Sequence, residues 1–274
     1  MTLNQADFEY LARFVLENSA ISLGSDKMYL IESRLAPLCR QYGVANVSEI
    51  VASIRRNPNS KLSSSIVDAV TTNETYFFRD TKPFDELTNE TLPRIIAKKG
   101  ARSSLNIWSA ACSSGQEIYS VAMMIEDNFP ELRNWNVKLY ASDISNAMVE
   151  RTKAGVFNQL EVSRGLPTAS LIKHFNRKGE SFHVKEYLKG RLQVFPLNLA
   201  SSWPSLPSFD VIFLRNVLIY FDPLVKQQIL QRTERVLNKD GALFLGGSES
   251  TLGLKTKLVR ETGKFCPWYR LPGS

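Results

Sequence analysis

Apolar residues in the first 70 positions recur only at helical spacing. The stripe of the first predicted helix is Phe8, Leu11, Phe14 and Val15. A second helix is predicted from Ser25, its N-cap, to Gly43, with a kink or break at Pro37. Its inward positions are expected to be Tyr29, Leu30, Leu35 and Leu38. Further helices over residues 47–56 and 62–70 would complete an all-helical domain spanning residues 1–70.

Beyond residue 84 short apolar runs alternate with amphipathic stretches, which is the pattern of an α/β sheet. A helix is predicted over residues 84–98, and strands are predicted over 105–108, 137–142, 192–195, 209–214 and 241–245. The Asp222-Pro223 pair should cap a helix to Leu237, followed by a turn over 238–241. A last strand over 265–270 is expected at a sheet edge, because Pro267 cannot donate to a ladder.

Residues 155–191 break this alternation. A helical piece over 169–175 precedes a strand-like alternation over 181–188, which predicts a small inserted subdomain with an antiparallel hairpin. The resulting organisation is a helical domain over residues 1–70, a linker over 71–83, and an α/β domain over 84–274 that carries the insertion.

The composition limits the classes of partner and site. The chain has 274 residues and a net charge of +7, but its basic residues are dispersed among acids, so we expect no nucleic-acid partner. An acidic protein or a carboxylate-bearing substrate fits this charge equally well. Three scattered cysteines and two histidines argue against a disulfide framework and against a metal site. A polar, acidic N-terminus and the lack of a long apolar run predict a cytoplasmic protein without membrane insertion.

The stretch from Ser104 to Tyr119 predicts a strand, a turn of small residues and a helix, the first unit of a nucleotide-binding sheet. The turn has the single glycine Gly115 instead of G-x-G-x-x-G, and Glu117 inside the helix would repel a pyrophosphate. An acid there suits a cationic ligand such as S-adenosylmethionine; the alternative is that Glu117 only complements the helix dipole. Asp143, at the end of the next strand, is placed to accept hydrogen bonds from ribose hydroxyls.

Further polar residues follow the later strands. Asn198-Leu199 could recognise an adenine ring, and Arg215-Asn216 follows the strand over 209–214. Because ligands bind beyond the carboxyl ends of strands in open α/β sheets, these residues are expected to meet Glu117 and Asp143 in one site.

The segment over residues 71–80, T-T-N-E-T-Y-F-F-R-D, does not resemble an ordinary linker. Asn73 and Thr75 can bond to a ligand, while the aromatic run anchors the segment. Arg79 could hold a carboxylate bidentately, with a structural ion pair as the alternative.

Nearly the whole chain resembles the CheR family of chemotaxis receptor (protein-glutamate) O-methyltransferases. The motifs are T-T-N-E-T-Y-F-F-R-D, W-S-A-A-C-S-S-G-Q-E-I-Y-S, A-S-D-I-S and R-N-V-L-I-Y-F, in this order and spacing. The resemblance implies a Rossmann-like class I S-adenosylmethionine-dependent methyltransferase domain with an N-terminal helical bundle and a small inserted antiparallel β-subdomain. It also implies esterification of glutamates on the cytoplasmic signalling helices of membrane chemoreceptors.

The resemblance also assigns residues. The implied cofactor-binding set is Asn73, Thr75, Arg79, Glu117, Asp143, Asn198, Leu199, Arg215 and Asn216. Arg79 and Tyr220 are implied to lie nearest the substrate carboxylate and to be the catalytic residues. The basic second helix, with Lys27, Arg34 and Arg40, and the β-subdomain are implied to contact the receptor. We expect a monomer recruited to receptor arrays, with no metal.

The connection over residues 177–181 looks shorter than in members that bind a receptor C-terminal pentapeptide, so we predict independence from such a tether. Two other functions remain as alternatives: a methyltransferase of RNA or a small molecule, and a non-catalytic regulator that binds S-adenosylmethionine. An NAD-linked oxidoreductase is disfavoured by the single glycine in the first turn.

Overall fold

A computed structural model describes residues 3–58, 60–100 and 104–273. The chain divides into two compact units. The first holds the chain up to Thr72 together with Tyr220–Asp222, and the second holds Asn73–Ile219 and the chain from Pro223 onward.

The first unit contains four helices. They are α1 (Gln5–Ser19), α2 (Met28–Tyr42), α3 (Val47–Arg56) and α4 (Lys61–Val70). Side-chain oxygens of Asn4, Asn46 and Ser60 accept backbone N–H bonds at the starts of α1, α3 and α4, which satisfies amides that lack an intrahelical partner. The buried stripes of the four helices form the core of this unit, as the helical spacing predicted.

The second helix differs from the expectations in two respects. Pro37 lies inside α2, which continues to Tyr42, so the expected break was wrong, whereas a kink at Pro37 stays a prediction. Tyr29 is 84% exposed and Leu30 is 44% exposed, so neither points inward. The inward stripe is instead Ile31, Leu35 and Leu38, and a helix with 3.6 residues per turn places positions 29 and 30 away from it.

The second unit alternates strands and helices. Its strands are β1 (Ser104–Ala110), β2 (Asn136–Asp143), β3 (Val156–Phe157), β4 (Phe175–Lys178), β5 (Ser181–Val184), β6 (Leu192–Pro196), β7 (Phe209–Leu214), β8 (Leu237–Leu245), β9 (Val259–Glu261) and β10 (Trp268–Arg270). Its helices are α5 (Lys82–Glu86), α6 (Leu92–Lys99), α7 (Gln116–Asn128), α8 (Asn146–Ala154), α9 (Gln159–Val162), α10 (Thr168–His174), α11 (Glu186–Lys189) and α12 (Pro223–Val236).

Seven strands form the main sheet in the order β6-β2-β1-β7-β8-β10-β9. The five strands from β6 to β8 are parallel, and β10 and β9 add antiparallel pairs at one side. β7 is buried at every position, as expected for a central strand covered on both faces. The carboxyl ends of β1, β2, β6 and β7 therefore meet at one edge of the sheet, where the sequence predicts the site.

Three details of this sheet differ from the predictions. β10 is not an edge strand, because β9 pairs with its outer side; Pro267 precedes β10 and so removes no hydrogen bond from the ladder. The turn expected over 238–241 lies within β8, whose register shifts between Phe209 and Val211 of the neighbouring strand. The helix predicted over 84–98 is divided, with a π-helical turn at Leu87–Thr91 between α5 and α6.

The insertion forms a separate three-stranded antiparallel sheet in the order β3-β5-β4. Gly179 and Glu180 alone connect β4 to β5, so the hairpin is short. The strand predicted over 181–188 ends at Val184, and α11 follows it.

Across the described ranges, the helices fall short of the length and apolar character that a membrane span requires.

Candidate functional site

The turn after β1 is built from residues in the left-handed region of backbone conformation. Ala111, Ser113 and Gly115 have φ values of 61°, 51° and 96°. Such values cost free energy for residues other than glycine, and they persist where the surrounding structure holds them. Here Cys112 N donates to Ser142 O at 2.8 Å and thereby ties the turn to β2.

Asp143 ends β2 beside this turn, as predicted. Its Oδ2 accepts a hydrogen bond from Ser113 N at 2.8 Å, and its Oδ1 accepts one from Ser145 N at 3.0 Å. The residue is only 5% exposed. Asp143 therefore joins the first turn to the start of α8.

Glu117, in the first turn of α7, is also held at both oxygens. Oε1 accepts from Ser109 Oγ at 2.7 Å, and Oε2 accepts from Arg215 Nη1 at 2.7 Å. The predicted alternative was that Glu117 only complements the helix dipole. It does not account for the ion pair with Arg215, which follows β7.

Arg215 forms hydrogen bonds to three residues of the second unit. Besides Glu117, its Nη2 donates to Asp80 Oδ2 at 2.6 Å and to Arg79 O at 2.9 Å. Its side chain is 1% exposed, and its buried Nε has no hydrogen-bond partner among the described residues. A buried N–H without a partner is costly, so a ligand acceptor at this position would restore a hydrogen bond.

The segment that follows Thr72 is anchored by its aromatic residues, as predicted. The ring of Phe77 packs against the rings of Phe157 and Phe175 in the insertion, with centroid separations of 5.0 and 5.8 Å. Phe78 N donates to Ser120 Oγ at 2.9 Å, and Ser113 Oγ donates to Asn73 O at 2.7 Å. These contacts bring Asn73 to the turn after β1.

Backbone strain is concentrated in the same loops. Phe78, Asp80 and Thr81 have φ values of 51°, 67° and 46°, and Asn216 has a φ value of 57°. Together with Ala111 and Ser113 they account for every non-glycine residue with positive φ in the described part of the second unit. Such clustering is typical of ligand-binding sites.

Arg79 contacts Arg215 with its backbone and not with its side chain. Its carbonyl accepts from Arg215, whereas its Nη1 donates to Glu74 O at 2.7 Å and its guanidinium lies 5.7 Å from the centroid of the Tyr76 ring. The predicted alternative was a structural ion pair of Arg79. The carboxylate of Glu74 pairs instead with Arg164, whose Nη2 lies 2.7 Å from Glu74 Oε1. Thr75 is half-buried within the same segment.

The residues after β6 are held by local contacts. Asn198 Oδ1 accepts from Ala200 N at 3.0 Å, and Leu199 is buried. The carbonyl of Leu199 accepts from Trp203 Nε1 and from Arg232 Nη1, both at 3.0 Å. These contacts fix the loop that carries the predicted adenine-binding pair.

Sequence reasoning missed Glu249, which follows β8. Its carboxylate accepts four backbone N–H bonds, including one from Asn216 at 2.8 Å. The sequence feature that could have indicated Glu249 is an acid four residues beyond the end of a predicted strand, in G-G-S-E.

Tyr220 ends a short 3-10 helix, Leu218–Tyr220, and is grouped with the first unit, so its role stays a prediction.

The thiol of Cys112 lies within the first turn. Burial raises its pKa well above the usual range, and the nearby Asp143 carboxylate acts in the same direction. Cys112 is therefore a neutral, inert side chain that packs the turn at neutral pH. Among the residues that the structure describes, no three His, Cys, Asp or Glu side chains are grouped as metal ligands would be.

The residues present fit S-adenosylmethionine. A buried carboxylate at the end of β2 and a second one in the first turn of α7 suit a ligand with a ribose and a positive charge. The unpartnered Nε of Arg215 suits a ligand acceptor. A turn with one glycine and an adjacent buried acid does not suit a pyrophosphate.

Comparison with known proteins agrees with this interpretation. Residues 73–264 match the family described as "CheR methyltransferase, SAM binding domain", and residues 6–71 match "CheR methyltransferase, all-alpha domain". The chain is 40% identical to "Chemotaxis protein methyltransferase Cher2" of Pseudomonas putida, over 93% of this chain and 94% of that protein. It is 42% identical to "Chemotaxis protein methyltransferase 1" of Pseudomonas aeruginosa, over 91% and 92%.

A solved structure, PKMT2 from Rickettsia typhi in complex with AdoHcy, aligns with a TM-score of 0.38 and 14% identity over 64% of this chain and 26% of that chain. This likeness is too distant to carry an argument. The family match, in contrast, covers both units over nearly their full length. The chain therefore belongs to the CheR family and is an S-adenosylmethionine-dependent methyltransferase of chemotaxis.

Proposed function

We propose that this enzyme methylates glutamate side chains on chemoreceptors, giving glutamyl methyl esters and S-adenosylhomocysteine. The observation that carries the proposal is that the loops with the predicted site residues contain no histidine. His174 is bonded to Asp127 and Tyr187 in the insertion, and His183 lies in β5. A glutamate carboxylate, with an unperturbed pKa of about 4.3, is already nucleophilic at neutral pH and needs no general base.

The proposed cofactor set is the one that the resemblance to the CheR family implies: Asn73, Thr75, Arg79, Glu117, Asp143, Asn198, Leu199, Arg215 and Asn216. S-adenosylmethionine supplies an electrophilic methyl group on a sulfonium. Asp143 would accept hydrogen bonds from the ribose hydroxyls, Glu117 would face the ligand's amino group, and Asn198 and Leu199 would bind the adenine. Arg215 would hold Glu117 in place, because Arg215 Nη1 donates to Glu117 Oε2 at 2.7 Å.

Catalysis in this proposal is mainly alignment. A carboxylate oxygen of the substrate attacks the methyl carbon, while the carbon–sulfur bond breaks and its electron pair stays on sulfur. Arg79 and Tyr220 orient that carboxylate by charge and by a hydrogen bond. Arg79 must release part of its hold on the carboxylate for it to react, so its contribution to shaping the cofactor pocket is the larger one.

Receptor docking is proposed through the helical unit and the β-subdomain. Lys27, which directly precedes α2, and Arg40 on α2 are exposed and suited to an acidic helix surface. Arg34 is less suited, because its Nη1 donates to Val70 O at 2.6 Å and its Nη2 donates to Thr72 Oγ1 at 3.3 Å within the same unit. The proposed enzyme is a monomer that is recruited to receptor arrays.

The decisive experiment incubates the protein with methyl-labelled S-adenosylmethionine and chemoreceptor membranes. Base-labile label in the receptor is expected, because carboxyl methyl esters hydrolyse in alkali. Receptor in which the modifiable glutamates are replaced by alanine is the control. Label in RNA or a small molecule, with none in receptor, would favour a different substrate. Binding of S-adenosylhomocysteine without any transfer would indicate a non-catalytic regulator.

Independence from a receptor C-terminal tether is part of the proposal. It is supported by the two-residue connection, Gly179 and Glu180, between β4 and β5. Calorimetry with a receptor C-terminal pentapeptide is expected to give no binding. An affinity in the nanomolar-to-micromolar range would contradict this part alone.

A further inference from the structure

Glu249 connects the loops that follow two neighbouring strands, β7 and β8. Its Oε2 accepts from Asn216 N at 2.8 Å and from Gly246 N at 2.7 Å. Its Oε1 accepts from Val217 N at 2.9 Å and from Ile219 N at 3.3 Å. One carboxylate therefore satisfies four backbone donors, three of them in the loop directly after Arg215.

These four contacts require a carboxylate. Both oxygens of an ionised glutamate only accept hydrogen bonds, and each can accept two. In a glutamine, whichever way the amide is turned, the NH₂ group would face two backbone N–H groups and two of the four bonds would be lost. Glutamine keeps the size and shape of the side chain, so this substitution isolates the effect of the second oxygen.

The backbone that Glu249 binds includes a strained residue, Asn216. Asn216 has a φ value of 57°, which costs free energy for a residue with a side chain. A Cβ atom at Gly246 would lie 2.6 Å from Glu249 Oε2, 2.8 Å from Asn216 N and 2.9 Å from Asn216 Nδ2. The close approach of Gly246 and the carboxylate of Glu249 thus hold Asn216 in its left-handed conformation from one side.

We propose that Glu249 is a positioning residue for the methyl donor, acting through Asn216. The inference rests on the proposed function in one respect, the assignment of Asn216 to the cofactor set. Without the carboxylate, the free energy stored in the backbone at Asn216 is no longer offset, and the loop relaxes toward ordinary conformations. The side chain of Asn216 then no longer points toward the proposed binding site of the methyl donor.

The test is a double-mutant cycle on the full chain, with S-adenosylhomocysteine affinity measured by calorimetry. Glu249→Gln and Asn216→Ala should each weaken binding about tenfold, equal to about 1.4 kcal/mol. If Glu249 acts through Asn216, the double variant should bind within about twofold of Asn216→Ala, because effects at coupled sites do not add. Independent effects of the two residues on binding would instead give additive losses, and an effect of Glu249 on stability alone would leave the affinity unchanged.

Hydrogen exchange provides a direct measure of the positioning. In Glu249→Gln the amides of Asn216, Val217 and Ile219 should exchange faster, while amides in β7 keep their protection. Glu234→Gln is the matched control. Glu234 accepts from Lys257 N at 2.7 Å and also from the Thr256 hydroxyl, so this variant loses similar contacts in a different loop. Its affinity for S-adenosylhomocysteine should equal that of the unmodified protein.

Each outcome decides the inference. Glu249→Gln with an affinity within about twofold of the unmodified protein, additive losses in the cycle, or an unchanged affinity in Asn216→Ala would each overturn it. Should Glu249→Gln fail to fold, Gly246→Ala disturbs the same carboxylate from the backbone side, and normal affinity in that variant would overturn it as well. If the losses in the cycle are not additive but the protein methylates no receptor, the positioning role is supported and the proposed substrate is refuted.

Discussion

Arg215 Nη1 lies 2.7 Å from Glu117 Oε2, and the side chains of the two residues are 1% and 11% exposed. The residues are 98 positions apart in the chain and lie after different strands of the sheet. This buried ion pair connects the loop after β7 to the start of α7. It places two opposite charges of the candidate site in contact before any ligand is considered.

Removing Arg215 should destabilise the second unit strongly. Arg215→Met leaves Glu117 buried without its cation, and breaking one side of a buried pair costs about 3–5 kcal/mol in the free energy of unfolding. Urea unfolding followed by tryptophan fluorescence measures this change, since all four tryptophans lie between Trp108 and Trp268 in the second unit. The double variant with Glu117→Gln should recover part of the loss.

A pair whose arginine is exposed provides the control for this experiment. Arg133 Nη2 lies 3.5 Å from Glu126 Oε1 with a side chain that is 61% exposed. Arg133→Met should change the free energy of unfolding by less than about 1 kcal/mol. Equal losses in the two variants would show that burial of Arg215 is not the cause.

Asp143→Asn should weaken S-adenosylhomocysteine binding by about tenfold, the equivalent of about 1.4 kcal/mol. The amide keeps one acceptor, so its NH₂ group faces the backbone N–H of Ser113 or Ser145, both of which now donate to the carboxylate. The ribose hydroxyls would also lose a charged acceptor. Isothermal calorimetry measures the affinity.

The control for Asp143 is Asp240→Asn, which removes a charge that pairs with Lys98 at a half-exposed position. Its affinity should match that of the unmodified protein. An unchanged affinity in Asp143→Asn would remove Asp143 from the cofactor set.

The positions of the predicted site residues could be inferred from sequence because they depend on local pattern. Apolar runs locate β1, β2, β6 and β7, and the residue after each run lies at the carboxyl end of a parallel strand. This is why Asp143 and Asn216 were identified without knowledge of the strand order.

The pairing of these residues could not be inferred, because it depends on tertiary contacts. No local pattern connects Glu117 to Arg215 or Glu249 to Asn216. The same reason explains the wrong position for β10. Pro267, directly before this strand, was taken to mark a sheet edge, although β9 pairs with β10 on that side. Tyr29 was misplaced because it lies two residues before Ile31, which is about 200° around the helix, on the side opposite the buried stripe.

Gly165→Ala should impair cofactor binding, whereas Gly179→Ala should not. Both glycines have positive φ, at 83° and 60°, so each alanine costs about 1–2 kcal/mol of backbone strain. Only at Gly165 would the new Cβ meet another atom, the carbonyl oxygen of Phe77 at 2.0 Å; nothing lies within 4 Å at Gly179.

The clash at Gly165 must displace the segment that carries Asn73, Thr75 and Arg79. We therefore expect Gly165→Ala to unfold at a lower urea concentration than Gly179→Ala and to bind S-adenosylhomocysteine more weakly. Equal affinities in the two variants would indicate that the segment is not part of the cofactor site.

Arg79→Ala should lower the turnover number by about a hundredfold or more, the scale expected when a reacting group loses its positioning. Arg164→Ala is the matched control, because its guanidinium also lies over the Tyr76 ring, at 4.4 Å from the centroid, and it too contacts Glu74. That variant should keep nearly normal turnover of receptor. Near-normal methyl transfer by Arg79→Ala would remove the catalytic role assigned to it.

The insertion is joined to α7 by a buried histidine, and this contact should make stability depend on pH. His174 is fully buried; its Nε2 lies 3.0 Å from Asp127 Oδ2 and its Nδ1 lies 2.6 Å from the Tyr187 hydroxyl. Burial alone would raise the pKa of Asp127, but hydrogen bonds from Lys173 and His174 outweigh it and hold the pKa below its usual value.

A carboxyl group with a lowered pKa in the folded state stabilises the protein above its unfolded pKa, about 3.9, and that stabilisation is lost as the pH falls through the folded value. Asp127→Asn should therefore cost about 1–2 kcal/mol at pH 7 and progressively less below about pH 4. Urea unfolding between about pH 3 and pH 7 measures this difference. The exposed pair of Lys153 with Glu150 provides the control, since Glu150→Gln should have little effect at any of these pH values. A cost for Asp127→Asn that stays constant with pH would show that the ionised carboxylate does not hold the insertion on α7.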